Sequence, residues 1–224
     1  MPSTNRTFKK QLTTLSAVCL ACASHATVLV DNLDNHFEAL GAVVGNLDGL
    51  QFVAGEFITG DGDYITINQV TLHVGGKTGD PYGFTVGLYD AIDGLPGNLI
   101  AEFSGNTDPI LDADHVYTAD GDILLSANTS YFIVAEASTP EATPPEEDPT
   151  AFYVWDMTTV NSQTAVGSWS IPDRIYFYNG TEWEADSGGA APRFSVEGIP
   201  EPEQYAVAFG ACALLLAWRR RSAS

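Results

Sequence analysis

Cysteine is nearly missing from this chain of 224 residues, and the three present sit where they cannot staple a fold. Cys19 and Cys22 lie in an apolar N-terminal run, and Cys212 lies in an apolar C-terminal one. Residues 27–198 carry none. Disulfides, thiolate catalysis and cysteine-bound zinc are therefore excluded from that stretch, whose fold must stand on packing alone. At 172 residues it is long enough for one core that buries close to ~70% of the unfolded surface.

Positive charge is the second scarcity. The chain has 9 Lys plus Arg against 29 Asp plus Glu. Within 27–198, 27 acidic residues face only Lys77, Arg174 and Arg193, a net charge of −24. No nucleic-acid partner is expected, because phosphate binding needs clustered Lys and Arg. An anionic polysaccharide would be repelled unless a divalent cation intervened. The ordinary consequence of such charge is solubility.

Helical periodicity is the third absence. Between the termini no amphipathic run reaches helix length; only 34–44 is ambiguous between a helical turn and a strand. Short runs rich in Val, Ile, Thr, Tyr and Phe recur instead, separated by Gly, Asp, Asn and Pro. Strands are expected at 50–59, 65–74, 84–89, 99–103, 123–125, 131–137, 152–157, 175–178, 182–185 and 193–197. Val70-Thr71-Leu72-His73-Val74 alternates apolar and polar, as a half-buried strand does. Asn179-Gly180 predicts a hairpin with a type I′ turn. Residues 138–150 hold Pro140, Pro144, Pro145 and Pro149 among Glu141, Glu146, Glu147 and Asp148, which predicts a solvated loop inserted in one domain. Many short strands with frequent turns predict an all-β fold: a two-sheet antiparallel β-sandwich, jelly-roll-like.

The termini read as addresses. Arg6, Lys9 and Lys10 precede an apolar run over 12–23, and Ser24-His25-Ala26 supplies small residues before a cut. This predicts a signal peptide over 1–26, cleaved after Ala26 by signal peptidase following passage through the Sec translocon. Acylation at Cys22 is the competing reading, and Cys19 stands where a lipoprotein signal carries Leu. At the other end, Pro200 and Pro202 keep Pro200-Glu201-Pro202 extended. A helix over 205–218 would be about 21 Å long against a hydrocarbon core of about 30 Å. Tyr205 and Trp218 suit the two interfaces, and Arg219, Arg220 and Arg221 form a stop-transfer cluster that stays cytoplasmic. Residues 27–198 then face outward. A buried core helix is the competing reading, and three arginines on a helix with no polar face argue against it.

Pro200-Glu201-Pro202, the apolar stretch and the arginine triplet, in that order within 199–224, resemble the PEP-CTERM sorting signal of Gram-negative, polysaccharide-producing bacteria. The segment is also labelled an ice-binding protein C-terminal domain, without implying ice binding. The resemblance implies an exosortase, a membrane processing enzyme, as partner, transient anchoring, and then release to the cell surface or extracellular matrix. The middle of the chain also resembles a family. Phe52 to Gly60, Tyr64-Ile65, Val70-Thr71-Leu72, Val86-Gly87-Leu88-Tyr89-Asp90, Gly94-Leu95-Pro96-Gly97-Asn98-Leu99-Ile100-Ala101 and Leu124 with Ala127-Asn128-Thr129-Ser130-Tyr131-Phe132-Ile133-Val134 are similar to choice-of-anchor domains of the R type. That resemblance implies an exported β-sandwich and no known activity.

For chemistry, three Asp-x-Asp pairs stand out: Asp61-Gly62-Asp63, Asp112-Ala113-Asp114 and Asp120-Gly121-Asp122. Calcium takes loop carboxylates at alternate positions, and Asp120 with Asp122, just before Ile123, is the best-placed pair. None extends into an EF-hand loop. No other cofactor is expected. Trp155, Trp169 and Trp183 with Tyr176 and Tyr178 are candidates for a sugar platform, against ordinary core packing, which is favoured. His73 falls on the polar phase of its strand, which exposure explains. No nucleophile or metalloprotease motif is present, and an enzyme is not expected. The resulting expectation is an exported structural or adhesive protein of the envelope or exopolysaccharide. The alternative is a calcium-dependent carbohydrate-binding module with extracellular polysaccharide as partner.

Overall fold

The computed structural model describes residues 27–35, 41–47, 50–61, 65–138, 150–160, 162–186 and 188–199. The expected signal peptide, the Pro200-Glu201-Pro202 motif, the 205–218 helix, the Arg219–Arg221 cluster and most of the 138–150 loop lie outside the described residues. The chain divides into two compact units, and the described residues belong almost entirely to the one spanning Val28–Gly198.

Among the described residues all regular structure is β, with no helix. The strands are β1 (Thr27–Asp31), β2 (Gly41–Leu47), β3 (Leu50–Ile58), β4 (Ile65–Thr78), β5 (Tyr82–Ile92), β6 (Leu95–Gly105), β7 (Ala113–Leu125), β8 (Ser130–Ser138), β9 (Thr150–Thr158), β10 (Thr164–Ala165), β11 (Ile175–Tyr178), β12 (Trp183–Asp186), β13 (Ala191–Pro192) and β14 (Phe194–Ile199). They make one large antiparallel sheet. Its main path runs β4, β7, β6, β5, β8, β3, β2, β9, and β9 pairs again with β4, so the hydrogen-bonded circuit returns to its starting strand.

Alternation of side chains sorts residues between two clusters. On β3, Val53 and Phe57 enter the main core with Val70, Leu72, Phe84, Leu88, Tyr153, Trp155, Ile175 and Phe194. Ala54, one residue out of phase, joins Phe132, Val134 and Tyr176 in a small cluster that Phe52, Tyr89 and Trp183 border. Polar groups there are paired: the Tyr176 hydroxyl donates to Glu56 at 2.8 Å, and the Tyr89 hydroxyl to Glu136 at 2.7 Å.

Every expected strand has a counterpart, with differences at the edges. The 34–44 ambiguity resolves as strand from Gly41 onward, where β2 pairs with β9. β7 begins ten residues before the expected 123–125, because its acidic composition hid it. The type I′ turn is not at Asn179-Gly180. There Tyr178 pairs with Trp183 across a four-residue loop. The Asn179 side chain closes that loop by accepting from the Thr181 and Glu182 amides, each at 3.0 Å, and Asn179 itself avoids positive φ. The two-residue turn lies at Asp93-Gly94, between β5 and β6, where φ is 54° and 80°.

Candidate metal centre

The site forms where two neighbouring strands part. β4 and β9 pair from Thr78↔Phe152 to Val74↔Trp155 and then separate. Beyond that point β9 pairs with β13, while β14 lies beside β4. Arg193, between β13 and β14, is thus the wedge. Its amide donates to Asp156 O at 2.8 Å, and its carbonyl accepts from the His73 amide at 3.1 Å and from Trp155 Nε1 at 2.9 Å. Asn32, just past β1, braces the wedge on both sides. It donates through Nδ2 to Pro192 O at 3.0 Å, and its Oδ1 accepts from the Phe194 amide at 2.8 Å.

The glycines of β4 open the space. A bulge between Val74 and Gly76 breaks the regular register with β9, and Gly76 has φ +118°, which L side chains rarely adopt. At Gly75 an added Cβ would stand 2.4 Å from Asp156 Oδ1, so only glycine leaves this carboxylate in place.

Four acidic and basic side chains meet His73 or its neighbours here. His73 Nδ1 is 2.6 Å from Asp114 Oδ1, and its Nε2 is 3.0 Å from Asp112 Oδ1 and 3.6 Å from Asp156 Oδ2. Arg193 Nη1 lies 3.4 Å from that same Asp156 oxygen, and Nη2 donates to Leu33 O. Arg193 Nε is buried and has no acceptor among the described residues. Burial raises the Asp156 carboxyl above its ordinary range; His73 and Arg193 oppose the shift and Asp112 adds to it. Asp31 is raised too, first by burial, with Asp34 and Asp114 adding repulsion against a bond from the Leu33 amide. Among the described residues, His73, Asp112 and Asp156 are the group whose potential ligand atoms all lie within 4.8 Å of one another.

His73 is therefore not simply an exposed polar residue: its side chain keeps 17% exposure and bridges two carboxylates. Among the described members of the three Asp-x-Asp pairs, Asp112 and Asp114 converge on a common partner, His73. Asp120 and Asp122, the pair expected to hold calcium, are both exposed on a bulge of β7 where four residues oppose Asn68. They are not part of the converging group. Asp61 is exposed, and its partner Asp63 lies outside the described residues.

The aromatic candidates divide. Trp155, Trp169 and Tyr176 are buried, as core packing predicts. Trp183 and Tyr178 are half-buried and form a strip with Phe52, which stacks on Tyr178 at 5.4 Å and 11°, while Trp183 lies 5.5 Å from Tyr178. A further polar group joins Lys77 to Asp108 at 3.1 Å and Asp80 at 3.4 Å, with the Tyr153 hydroxyl 2.9 Å from Asp108.

Sequence reasoning missed the His73 centre because Asp156 and Arg193 are far from His73 along the chain. The nearest signal was an Asp-x-Asp pair in a segment with few histidines. No protein-family model matches this chain, and comparison with curated proteins gives no match. No helix among the described residues is long and apolar enough to cross a membrane.

Proposed function

We propose that this is an exported surface protein, delivered by an exosortase-type sorting system to the envelope or exopolysaccharide, where it has a structural or adhesive role. The observation that carries the reading is the ordered tail of Pro200-Glu201-Pro202, an apolar run and Arg219-Arg220-Arg221. It follows directly on a compact unit that ends at Gly198 and begins at Val28, two residues after the expected cut at Ala26. The unit holds no cysteine, so it needs no oxidant to fold. Its architecture is, on this reading, a jelly-roll-like sandwich: one sheet folded over so that two layers enclose the main core. Support comes from the circuit that returns to β4 and from a single dominant core shared by nearly all strands.

The test is expression in a polysaccharide-producing Gram-negative host with and without its exosortase. Mass spectrometry of the mature chain should find the 205–218 segment removed only when the enzyme is present. Replacing Pro200, Glu201 and Pro202 together by alanine should leave the protein in the inner membrane. An intact C-terminus in the exosortase-positive host would reject the sorting role.

A carbohydrate-binding reading draws on one observation, the half-buried strip of Phe52, Tyr178 and Trp183. Aromatic faces of this kind cover the apolar faces of sugar rings. A glycan array read with and without chelator checks it, and no signal in either condition would remove it.

A further inference from the structure

We propose that His73, Asp112 and Asp156 bind a divalent transition-metal ion of the zinc class, leaving at least one coordination position open to water. Donor spacing is the first argument. Zinc holds nitrogen and oxygen ligands at about 2.0–2.2 Å in tetrahedral geometry, which places neighbouring donor atoms roughly 3.3–3.6 Å apart. His73 Nε2 stands 3.0 Å from Asp112 Oδ1 and 3.6 Å from Asp156 Oδ2. All three donor atoms lie within 4.8 Å of one another, so an ion replacing the Nε2 proton would draw the two carboxylates toward it.

The second argument is the imidazole. Imidazole with carboxylates suits zinc and its neighbours, whereas calcium takes six to eight oxygens. The other ring nitrogen already faces Asp114 at 2.6 Å. A carboxylate there holds the proton on Nδ1, turns the lone pair of Nε2 toward the other two acids and raises its basicity. Asp114 is thus a positioning residue.

Beside this group lies the buried Arg193 Nε, which has no acceptor among the described residues. It belongs to the guanidinium that already touches Asp156. A water on the open position of a bound ion would offer an acceptor near this guanidinium, which already lies 3.4 Å from Asp156 Oδ2. Access is available as well. Asp112 keeps 75% exposure while Asp156 keeps 22%, so the ion would enter from solvent and rest against the wall of the fork.

Isothermal titration of the full chain with zinc chloride tests the proposal. Asp112→Asn is the chief variant because an exposed side chain can change without unfolding the protein, which circular dichroism verifies. It should remove one zinc per chain, or weaken that site at least about 100-fold. Asp114→Asn should weaken it by about 10–100-fold, the usual effect of losing an outer-shell partner. Asp120→Asn should change nothing, and zinc held weakly by other histidines should be common to all variants. A role limited to ion pairing predicts the same zinc isotherm for wild type, Asp112→Asn and Asp114→Asn, and that result would overturn the site. Displacement of zinc by an equal concentration of calcium would overturn the assignment to a transition metal.

Discussion

At the scale of single residues, the buried polar groups carry the most exposed risk. Asn32 is buried, and its amide satisfies both the Pro192 carbonyl and the Phe194 amide on either side of Arg193. Alanine would orphan both, and a buried unpaired group costs about 1–3 kcal/mol. Asn32→Ala is expected to lower unfolding free energy by about 2–3 kcal/mol, measured by urea denaturation with an unchanged slope. Asp108 makes a prediction about pH. A bond from Lys77, then one from Tyr153, holds its carboxyl below the usual 3.8. The folded state therefore binds fewer protons than the unfolded state in that window. The stabilisation is present above 3.8 and is lost as pH falls through the lower folded value. Asp108→Asn should flatten the acid limb of melting temperature against pH; coincident limbs for variant and wild type would refute this.

At the scale of elements, the β4 bulge decides where the fork opens. Gly76, at φ +118°, holds a conformation that L side chains rarely adopt. Such backbone strain costs about 1–3 kcal/mol, so Gly76→Ala should destabilise by that amount in thermal unfolding. No change would mean that β4 continues its register past Val74. Element legibility followed composition. Apolar, β-branched strands such as β3, β8 and β9 were readable because burial and propensity agreed there. The first ten residues of β7 were not, since Asp114, Asp120 and Asp122 lie on exposed positions that strand propensity penalises. Turn chemistry was half readable. Asn179-Gly180 does reverse the chain, but the Asn179 side chain accepts backbone amides and builds a longer loop.

At the scale of the whole molecule, charge dominates. Residues 27–198 carry −24, and of their three basic residues Lys77 and Arg193 are already committed to neighbouring carboxylates. Repulsion among the remaining acids is long-ranged at low salt, where the Debye length is about 30 Å at 0.01 M against about 8 Å at 0.15 M. Raising sodium chloride across that interval should raise the melting temperature. Calorimetry at a fixed pH checks this, and a falling melting temperature would show that the few ion pairs outweigh the general repulsion.

Strand content, the lack of any disulfide in 27–198, the acidic balance and the tail pattern on which the proposed sorting rests all came from the amino-acid sequence. Each depends on composition or on spacing within a few residues, which a linear reading preserves. Tertiary structure alone decided that Trp155 and Trp169 enter the core while Trp183 borders a half-buried strip. It alone brought Asp112, Asp114, Asp156 and Arg193 to His73. The polar phase of His73 was legible in its strand, but its neighbours depend on β9 leaving β4 and the last strand pair entering between them. Such convergence arises from pairings across tens of residues, and no local pattern encodes them.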